Sequence, residues 1–101
     1  MKLMYTDDSK RRLANSIVNL VEELAYPLYK ALEIEQDLHN QAAALKENPR
    51  LGQFEEELAY LNKGHRGLVV GNFKIIYRIS GSEIYITDFF DTRQDPSKMK
   101  G

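Results

Sequence analysis

The chain contains no cysteine, and this absence excludes several classes of protein. Disulfide scaffolds, thiolate metal sites and cysteine nucleophiles all require that residue. The chain also lacks an apolar run of the length that a signal peptide or a membrane-spanning helix needs. These absences predict a cytoplasmic protein that has no membrane partner.

Patterns that accompany catalysis or cofactor binding are equally scarce. The sequence has no glycine-rich phosphate loop, and its serines stand outside any triad pattern. His39 has Glu35 one helical turn before it, but two ligands do not make a metal site. The run Glu55–Glu57 is typical of a solvated loop, because consecutive carboxylates there point in different directions. We therefore predict no metal site and no cofactor.

Length and charge indicate one domain with an uneven charge distribution. The 101 residues suit a single domain, residues 1–101, with one core. Residues 1–62 carry seven basic and eleven acidic side chains, whereas residues 63–101 carry seven basic and four acidic ones. A basic last part could orient the domain toward an anionic partner, although an asymmetry of this size also arises by chance.

The first half of the chain is predicted to be helical. Leucine, isoleucine and alanine recur at helical spacing over residues 13–24 and again over 28–45. Pro27 interrupts the two runs, because proline removes a backbone donor and clashes with the preceding turn. Two helices joined by so short a break suggest an antiparallel hairpin. Residues 2–6 before it can form a short strand.

The second half is predicted to form a sheet. Three runs rich in β-branched and aromatic residues cover 66–70, 73–79 and 83–90. The links between them are of turn length, so neighbouring strands must be antiparallel. The predicted fold class is α+β: an N-terminal helical hairpin packed on one face of a twisted antiparallel β-sheet, with the short N-terminal strand as a candidate addition. The other sheet face is expected to be free.

Cations mark that second face. Lys74 and Arg78 alternate with the core residues of the middle strand, so they point away from the helices. If Arg66 opens the preceding strand and Arg93 follows the next, all four could cluster there. Such a cluster could contact phosphates, and Tyr85 could stack on a base. The same cations could instead pair with the acidic residues of the last strand and tail. Those residues are Asp88, Asp91 and Asp95.

His65 is the remaining candidate for chemistry. It precedes Arg66, and a neighbouring cation favours the neutral imidazole that a general base needs. A loop histidine with no committed partner is more often simply exposed to solvent. The residue alone does not decide between these interpretations.

Three segments resemble the RelE/ParE superfamily of toxins from bacterial type II toxin–antitoxin modules. They read "NPRLG", "HRGLVVGNFKIIYRI" and "IYITDFFDTRQDP", and the resemblance is clearest over residues 48–96. It implies the same fold and a small cytoplasmic toxin of a plasmid stabilisation module. It also implies a hetero-oligomer in which a cognate antitoxin wraps the toxin. RelE-like members cut messenger RNA in the ribosomal A site without metal, and ParE-like members inhibit DNA gyrase.

The ribonuclease residues of the family carry over only in part. By position, Arg66, Lys74 and Arg93 match family cations that could bind the scissile phosphate and stabilise charge on it. Leu68 stands where a second strand lysine is expected, and the tail after Arg93 has neither tyrosine nor histidine. The late proton-transfer group is therefore missing, and such a group contributes about 10²–10⁴ in rate. His65 could replace it only if it came within reach.

The sequence therefore predicts a ParE-like toxin that acts by binding. The residues predicted to bind antitoxin or target are Arg66, Lys74, Arg78, Tyr85 and Arg93, and an acidic antitoxin segment would complement them. The alternative is a ribosome-dependent mRNA endoribonuclease with catalytic Arg66, Lys74 and Arg93 and with His65 as a further candidate. A third interpretation is a non-toxic relic that binds only an antitoxin.

Overall fold

The computed structural model describes all 101 residues, and its elements follow the predicted order. The elements are β1 (Lys2–Tyr5), α1 (Asp7–Glu22), α2 (Leu28–Ala44), β2 (Gln53–Phe54), a 3₁₀ helix (Glu56–Leu61), β3 (Arg66–Val70), β4 (Phe73–Ser80), β5 (Glu83–Asp91) and a 3₁₀ turn (Pro96–Lys98). Neither α-helix has the length and apolar character that a membrane crossing requires.

Local sequence explains where α1 begins. The side chain of Thr6 accepts a hydrogen bond from the backbone N–H of Ser9 at 3.1 Å, which caps the helix. Asp7 and Asp8 lie in the first turn, where negative charge complements the positive end of the helix dipole. Pro27 then stands immediately before α2 at its N-cap, so the predicted break falls where proline costs least.

The strands form one mixed five-stranded sheet in the order β1-β5-β4-β3-β2. The antiparallel meander β3-β4-β5 and the α+β class are confirmed. The expectation of a wholly antiparallel sheet is wrong at one edge, because β1 lies parallel to β5. No tight turn joins these two strands, so turn geometry does not dictate their relative direction.

The main core lies between the helical hairpin and the sheet face that we call the helix face. Phe73, Ile75 and Tyr77 of β4 all point to this face, as the alternation of β4 predicted. The core residues are Leu13, Ile17, Leu20, Ala31, Leu38, Ala42, Leu45, Phe73, Ile75, Tyr77, Ile84, Ile86 and Phe89.

The centre of the opposite side of the sheet, called the second face, is covered rather than free. Leu58 of the 3₁₀ helix and Met99 of the tail pack on Ile76 and Phe90 and bury them. The expectation of a free face is therefore wrong at its centre, whereas Val69 at the β3 edge remains exposed. Two large apolar side chains on that face would cost free energy in water, and the tail and the 3₁₀ helix remove them from it.

A β-bulge in β5 determines which residues reach each face. Ile76 is opposite Asp88 and Tyr77 is opposite Ile86, so one extra residue, Thr87, is inserted between the paired positions. The insertion shifts the alternation of β5 by one residue. As a result Phe89 joins the main core and its neighbour Phe90 faces the tail.

Asp88 fastens the tail to the rest of the protein. Its Oδ1 accepts a hydrogen bond from Nε of Arg12 in α1 at 2.6 Å, and its Oδ2 accepts one from the backbone N–H of Lys100 at 2.9 Å. Arg12 also donates to the carbonyl of Lys98 at 3.1 Å. We call residues 96–101 the C-terminal strap. The fully buried Asp88 anchors it.

Candidate functional site

The four candidate cations do not form one cluster. Arg66 is directly opposite Tyr77, and opposed residues of antiparallel strands share a face. Arg66 therefore lies on the side of the helix face, where its guanidinium donates to the carbonyl of Gly52 at 2.8 Å and lies 4.1 Å from the ring of Phe54. Lys74 is opposite Phe90 and points to the second face. The predicted four-cation surface is wrong, because register separates Arg66 from Lys74.

Lys74 is already paired within the chain. Its ammonium group lies 2.9 Å from a carboxylate oxygen of Glu55, whose side chain is only 10% exposed. Gly67 makes room for this ion pair, since a Cβ atom there would come within 2.6 Å of the Lys74 side chain and 2.8 Å of the Glu55 carboxylate. The expectation that the whole run of glutamates is solvated is therefore wrong for Glu55.

Arg93 is also paired, with the residue two positions before it. Its guanidinium donates to both carboxylate oxygens of Asp91, at 2.9 and 2.7 Å, and its backbone N–H donates to the same carboxylate at 2.9 Å. Burial raises the pKa of Asp91, but these hydrogen bonds outweigh it and lower the pKa overall. This pairing is the one that the sequence offered as the alternative to phosphate contact.

Arg78 and Tyr85 contact one another across β4 and β5. They are directly opposed, and the guanidinium carbon lies 4.6 Å from the centre of the tyrosine ring. This is a cation–π contact of the kind that arginine forms with aromatic faces. One face of the Tyr85 ring is therefore occupied by a side chain of the same protein.

His65 is buried, contrary to the expectation of an exposed loop residue. The residue is only 3% exposed, and neither nitrogen of its imidazole ring has a hydrogen-bond partner. Leu61 and the C-terminal strap close over it, since a Cβ atom on Gly101 would lie 3.0 Å from its Nε2. Burial lowers the pKa of His65, and the charges of Arg78 and Lys63 lower it further.

The lowered pKa of His65 makes stability depend on pH. The folded state resists protonation, so this contribution is complete above the ordinary pKa of about 6.5 and is lost as the pH falls through that value toward the folded pKa. We expect the free energy of unfolding to decrease between about pH 7 and pH 5. His65→Leu should flatten that part of the profile in urea titrations. Identical slopes for the two proteins over this range would contradict the assignment.

The segment "NPRLG" is positioned by a hydroxyl group. Tyr77 accepts a hydrogen bond from the backbone N–H of Gly52 at 2.9 Å and donates one to the carbonyl of Pro49 at 2.8 Å. Gly52 is buried against Gly67, where a Cβ atom would lie 2.9 Å from backbone atoms. The hydroxyl of Tyr77 therefore fixes this segment, which leads into β2.

The loop leaves a cleft beside β3. Gly52, Phe54 and Glu55 form one wall, and Gly67 and Val69 of β3 form the other. Phe54 is 69% exposed and Val69 is 65% exposed, so two large apolar side chains stand in solvent at this edge. This is a surface that suits a protein partner, whereas the dispersed and paired cations do not converge on one reacting group.

Sequence reasoning missed the structural roles of three residues that organise these surfaces, Glu55, Gly67 and Asp88, although Asp88 was a candidate partner of the sheet cations. Each acts through a residue that is distant along the chain, so no local sequence pattern predicts its role. The nearest signal was the glycine that follows Arg66 in a strand, because such a glycine often marks close approach of other atoms.

The fold brings no group of three histidine or acidic side chains together in a way that could hold a metal ion.

Comparison with known proteins identifies the family. The family described as "ParE toxin of type II toxin-antitoxin system, parDE" matches residues 3–96. Among solved structures, a chain of the "Chromosomal ParDE TA system from P. aeruginosa" is 26% identical with a TM-score of 0.72, and the match covers 88% of this chain and 92% of that chain. No curated protein matches this sequence. The predicted ParE-like resemblance is confirmed, and this chain belongs to the ParE toxin family of type II toxin–antitoxin systems.

Proposed function

We propose that this protein stops cell growth by binding DNA gyrase and that a cognate antitoxin neutralises it. Membership of the ParE family supports a toxin, and the resemblance drawn from the sequence associates that branch with gyrase. The main supporting observation is that each of the four candidate cations already has a partner within the chain. Such a surface favours binding of a macromolecule over cleavage of a phosphodiester.

The ribonuclease alternative would require several cations at one scissile phosphate. Arg66 donates to a backbone carbonyl on one side of the sheet, while Lys74 is neutralised by Glu55 on the other. Arg93 is held by both oxygens of Asp91. A ribonuclease would have to break two ion pairs and bring side chains from both faces together, and the tail still offers no tyrosine or histidine for proton transfer.

A cognate antitoxin is part of the proposal because the P. aeruginosa chain comes from a ParDE toxin–antitoxin system. A toxin of this kind needs a partner that binds more tightly to it than the cellular target does. Gyrase, ribosomes and antitoxin are all cytoplasmic in bacteria, so the proposed site of action is the cytoplasm. The toxin and antitoxin together would form the predicted hetero-oligomer.

Inducible expression in bacteria tests this proposal. We expect induction of the protein alone to stop growth and to reduce negative supercoiling of a reporter plasmid, because gyrase introduces those supercoils. Co-expression of the reading frame that neighbours this gene should restore growth. In a reaction with purified gyrase, the protein should inhibit supercoiling of relaxed plasmid. Lys74→Met should leave this inhibition measurable, since no phosphodiester chemistry depends on it.

Two results would overturn the proposal in different ways. One such result is growth arrest accompanied by codon-phased cuts in messenger RNA. If Lys74→Met abolished those cuts, the ribonuclease alternative would be established. Normal growth and normal plasmid topology under strong induction, together with a tight complex with the antitoxin, would establish the relic. Circular dichroism of the purified protein controls for misfolding in either case.

A further inference from the structure

The outer edge of β3 is only half paired. β2 is two residues long and pairs only with Gly67 and Arg66, so the edge from Leu68 to Val70 has no neighbouring strand. An unpaired edge presents backbone N–H and C=O groups that can extend a sheet. The edge is therefore open where β3 approaches its turn to β4.

The backbone N–H and C=O groups of Val69 are the unpaired groups of this edge. In an antiparallel strand alternate residues direct their backbone groups to opposite sides. The carbonyl of His65 accepts a hydrogen bond from the backbone N–H of Glu55 on the outer side, and Gly67 is paired with Gln53 there. Val69 follows in the same alternation, so its N–H and C=O point away from β4 with no partner in the chain.

Apolar side chains flank this edge. Val69 and Phe54 are mostly exposed, and Leu51, which precedes β2, is 51% exposed. They lie around the cleft beside β3 described above. An added strand could place alternate side chains against them, because residues i and i+2 of a strand share one face.

The charge around the cleft is negative. Glu55, Glu56 and Glu57 line it, and Lys74 is its one basic residue. Lys74 already balances Glu55, whereas Glu56 and Glu57 are exposed and form no ion pair. A segment that enters this cleft is therefore favoured by basic side chains, in contrast to the acidic segment that the cations of the sequence suggested.

We propose that the cleft beside β3 receives an extended, basic segment of the antitoxin as an additional strand. The segment pairs with the backbone of Val69, packs apolar residues against Phe54 and Leu51, and directs lysine or arginine to Glu56 and Glu57. This inference rests on the proposed function for the identity of the partner. The binding mode itself rests on the open edge, the exposed apolar side chains and the negative charge.

Two variants of the full chain test the mode. Val69→Pro removes the outward N–H donor, and proline is tolerated on an edge strand where that group faces solvent. The double variant Glu56→Lys/Glu57→Lys reverses the charge. Each should weaken binding of the purified antitoxin by about tenfold in calorimetry or surface plasmon resonance. The matched control is Glu22→Lys/Glu23→Lys, which reverses two exposed charges at the end of α1 and should leave affinity within about twofold.

A synthetic probe separates the site from its partner. We expect an eight-residue peptide that alternates valine with lysine to shift the amide resonances of Leu68 and Val69, and the matched valine–glutamate peptide to leave them in place. If the valine–lysine peptide binds and cells still grow normally, the proposed function fails while the site stands. If antitoxin affinity is unchanged in both variants and neither peptide shifts Val69, the site is wrong while the toxin proposal stands.

A second copy of the chain is the competing occupant of this edge. Sedimentation of the protein alone distinguishes it from the antitoxin segment. A dimer that Val69→Pro dissolves would overturn the proposal, because the edge would then be a homodimer interface. A monomer at micromolar concentration, together with weaker antitoxin binding by Val69→Pro, supports it. Thermal unfolding of each variant verifies that the fold is retained.

Discussion

Replacing Arg12 with methionine is expected to lower the free energy of unfolding by about 3 kcal/mol at neutral pH. Arg12 is the only side chain that pairs with the carboxylate of Asp88, which is fully buried. Removing it leaves a buried negative charge that only backbone N–H groups can satisfy. Urea-induced unfolding followed by circular dichroism measures the loss, and the tail anchored by Lys98 and Lys100 should loosen as well.

The effect of Arg12→Met should depend on pH in a definite direction. Burial raises the pKa of Asp88, and the hydrogen bond from Arg12 lowers it in part. A carboxyl group whose folded pKa is raised favours the folded state at low pH, and that contribution is lost as the pH rises through the folded pKa. Without Arg12 the pKa rises further, so the difference in stability between variant and parent should shrink as the pH falls toward the ordinary pKa of the carboxyl group.

Arg11→Met is the matched control for this prediction. Arg11 forms an ion pair with Asp8, but both side chains are mostly exposed on the surface of α1. Exposed pairs contribute about 0–1 kcal/mol, so the loss of stability should be small and should vanish in high salt. Equal decreases in the free energy of unfolding for Arg11→Met and Arg12→Met would contradict the role of Asp88 as the anchor of the strap.

The second large effect is expected from Tyr77→Phe, which removes one oxygen atom from the main core. Its hydroxyl group satisfies the N–H of Gly52 and the carbonyl of Pro49. Phenylalanine keeps the ring but leaves both backbone groups without their partner, which costs about 2 kcal/mol. Amide hydrogen exchange at Gly52 should accelerate more than exchange in α1, since the loop loses its anchor.

Tyr85→Phe provides the comparison for Tyr77→Phe. Tyr85 is half-buried, and its hydroxyl group makes no hydrogen bond within the protein, so stability should change by less than about 0.5 kcal/mol. The cation–π contact with Arg78 uses the ring and survives the change. Similar losses from both variants would mean that the hydroxyl of Tyr77 does not anchor the loop.

Much of the fold was accessible from local sequence patterns. The strand β4 alternates cleanly, so its pattern predicts that Phe73 and Tyr77 lie in the core, as they do. The short links before and after β4 left no choice but antiparallel neighbours. Pro27 marked the break between the helices for an equally local reason. These features depend on residues that are close together along the chain.

The arrangement of the cations was not accessible in the same way. A shift of one residue in register moves a side chain to the other face, and only the pairing of Arg66 with Tyr77 fixes that register. The partner of Lys74 comes from a loop, Glu55, whose glutamate neighbours are solvated. The bulge at Thr87 likewise has no compositional signature, yet it decides which face Phe90 reaches.

The parallel pairing of β1 with β5 has a consequence for synthesis of the toxin on the ribosome. Tyr5 is paired with Ile86, and Arg12 is bonded to Asp88, which follows it by 76 residues. The first strand must therefore wait for almost the whole chain, on the order of ten seconds at ordinary rates of translation. Contacts so distant along the chain also slow folding after release. The nascent chain therefore cannot complete its sheet, or the buried contact between Arg12 and Asp88, until its last strand has emerged.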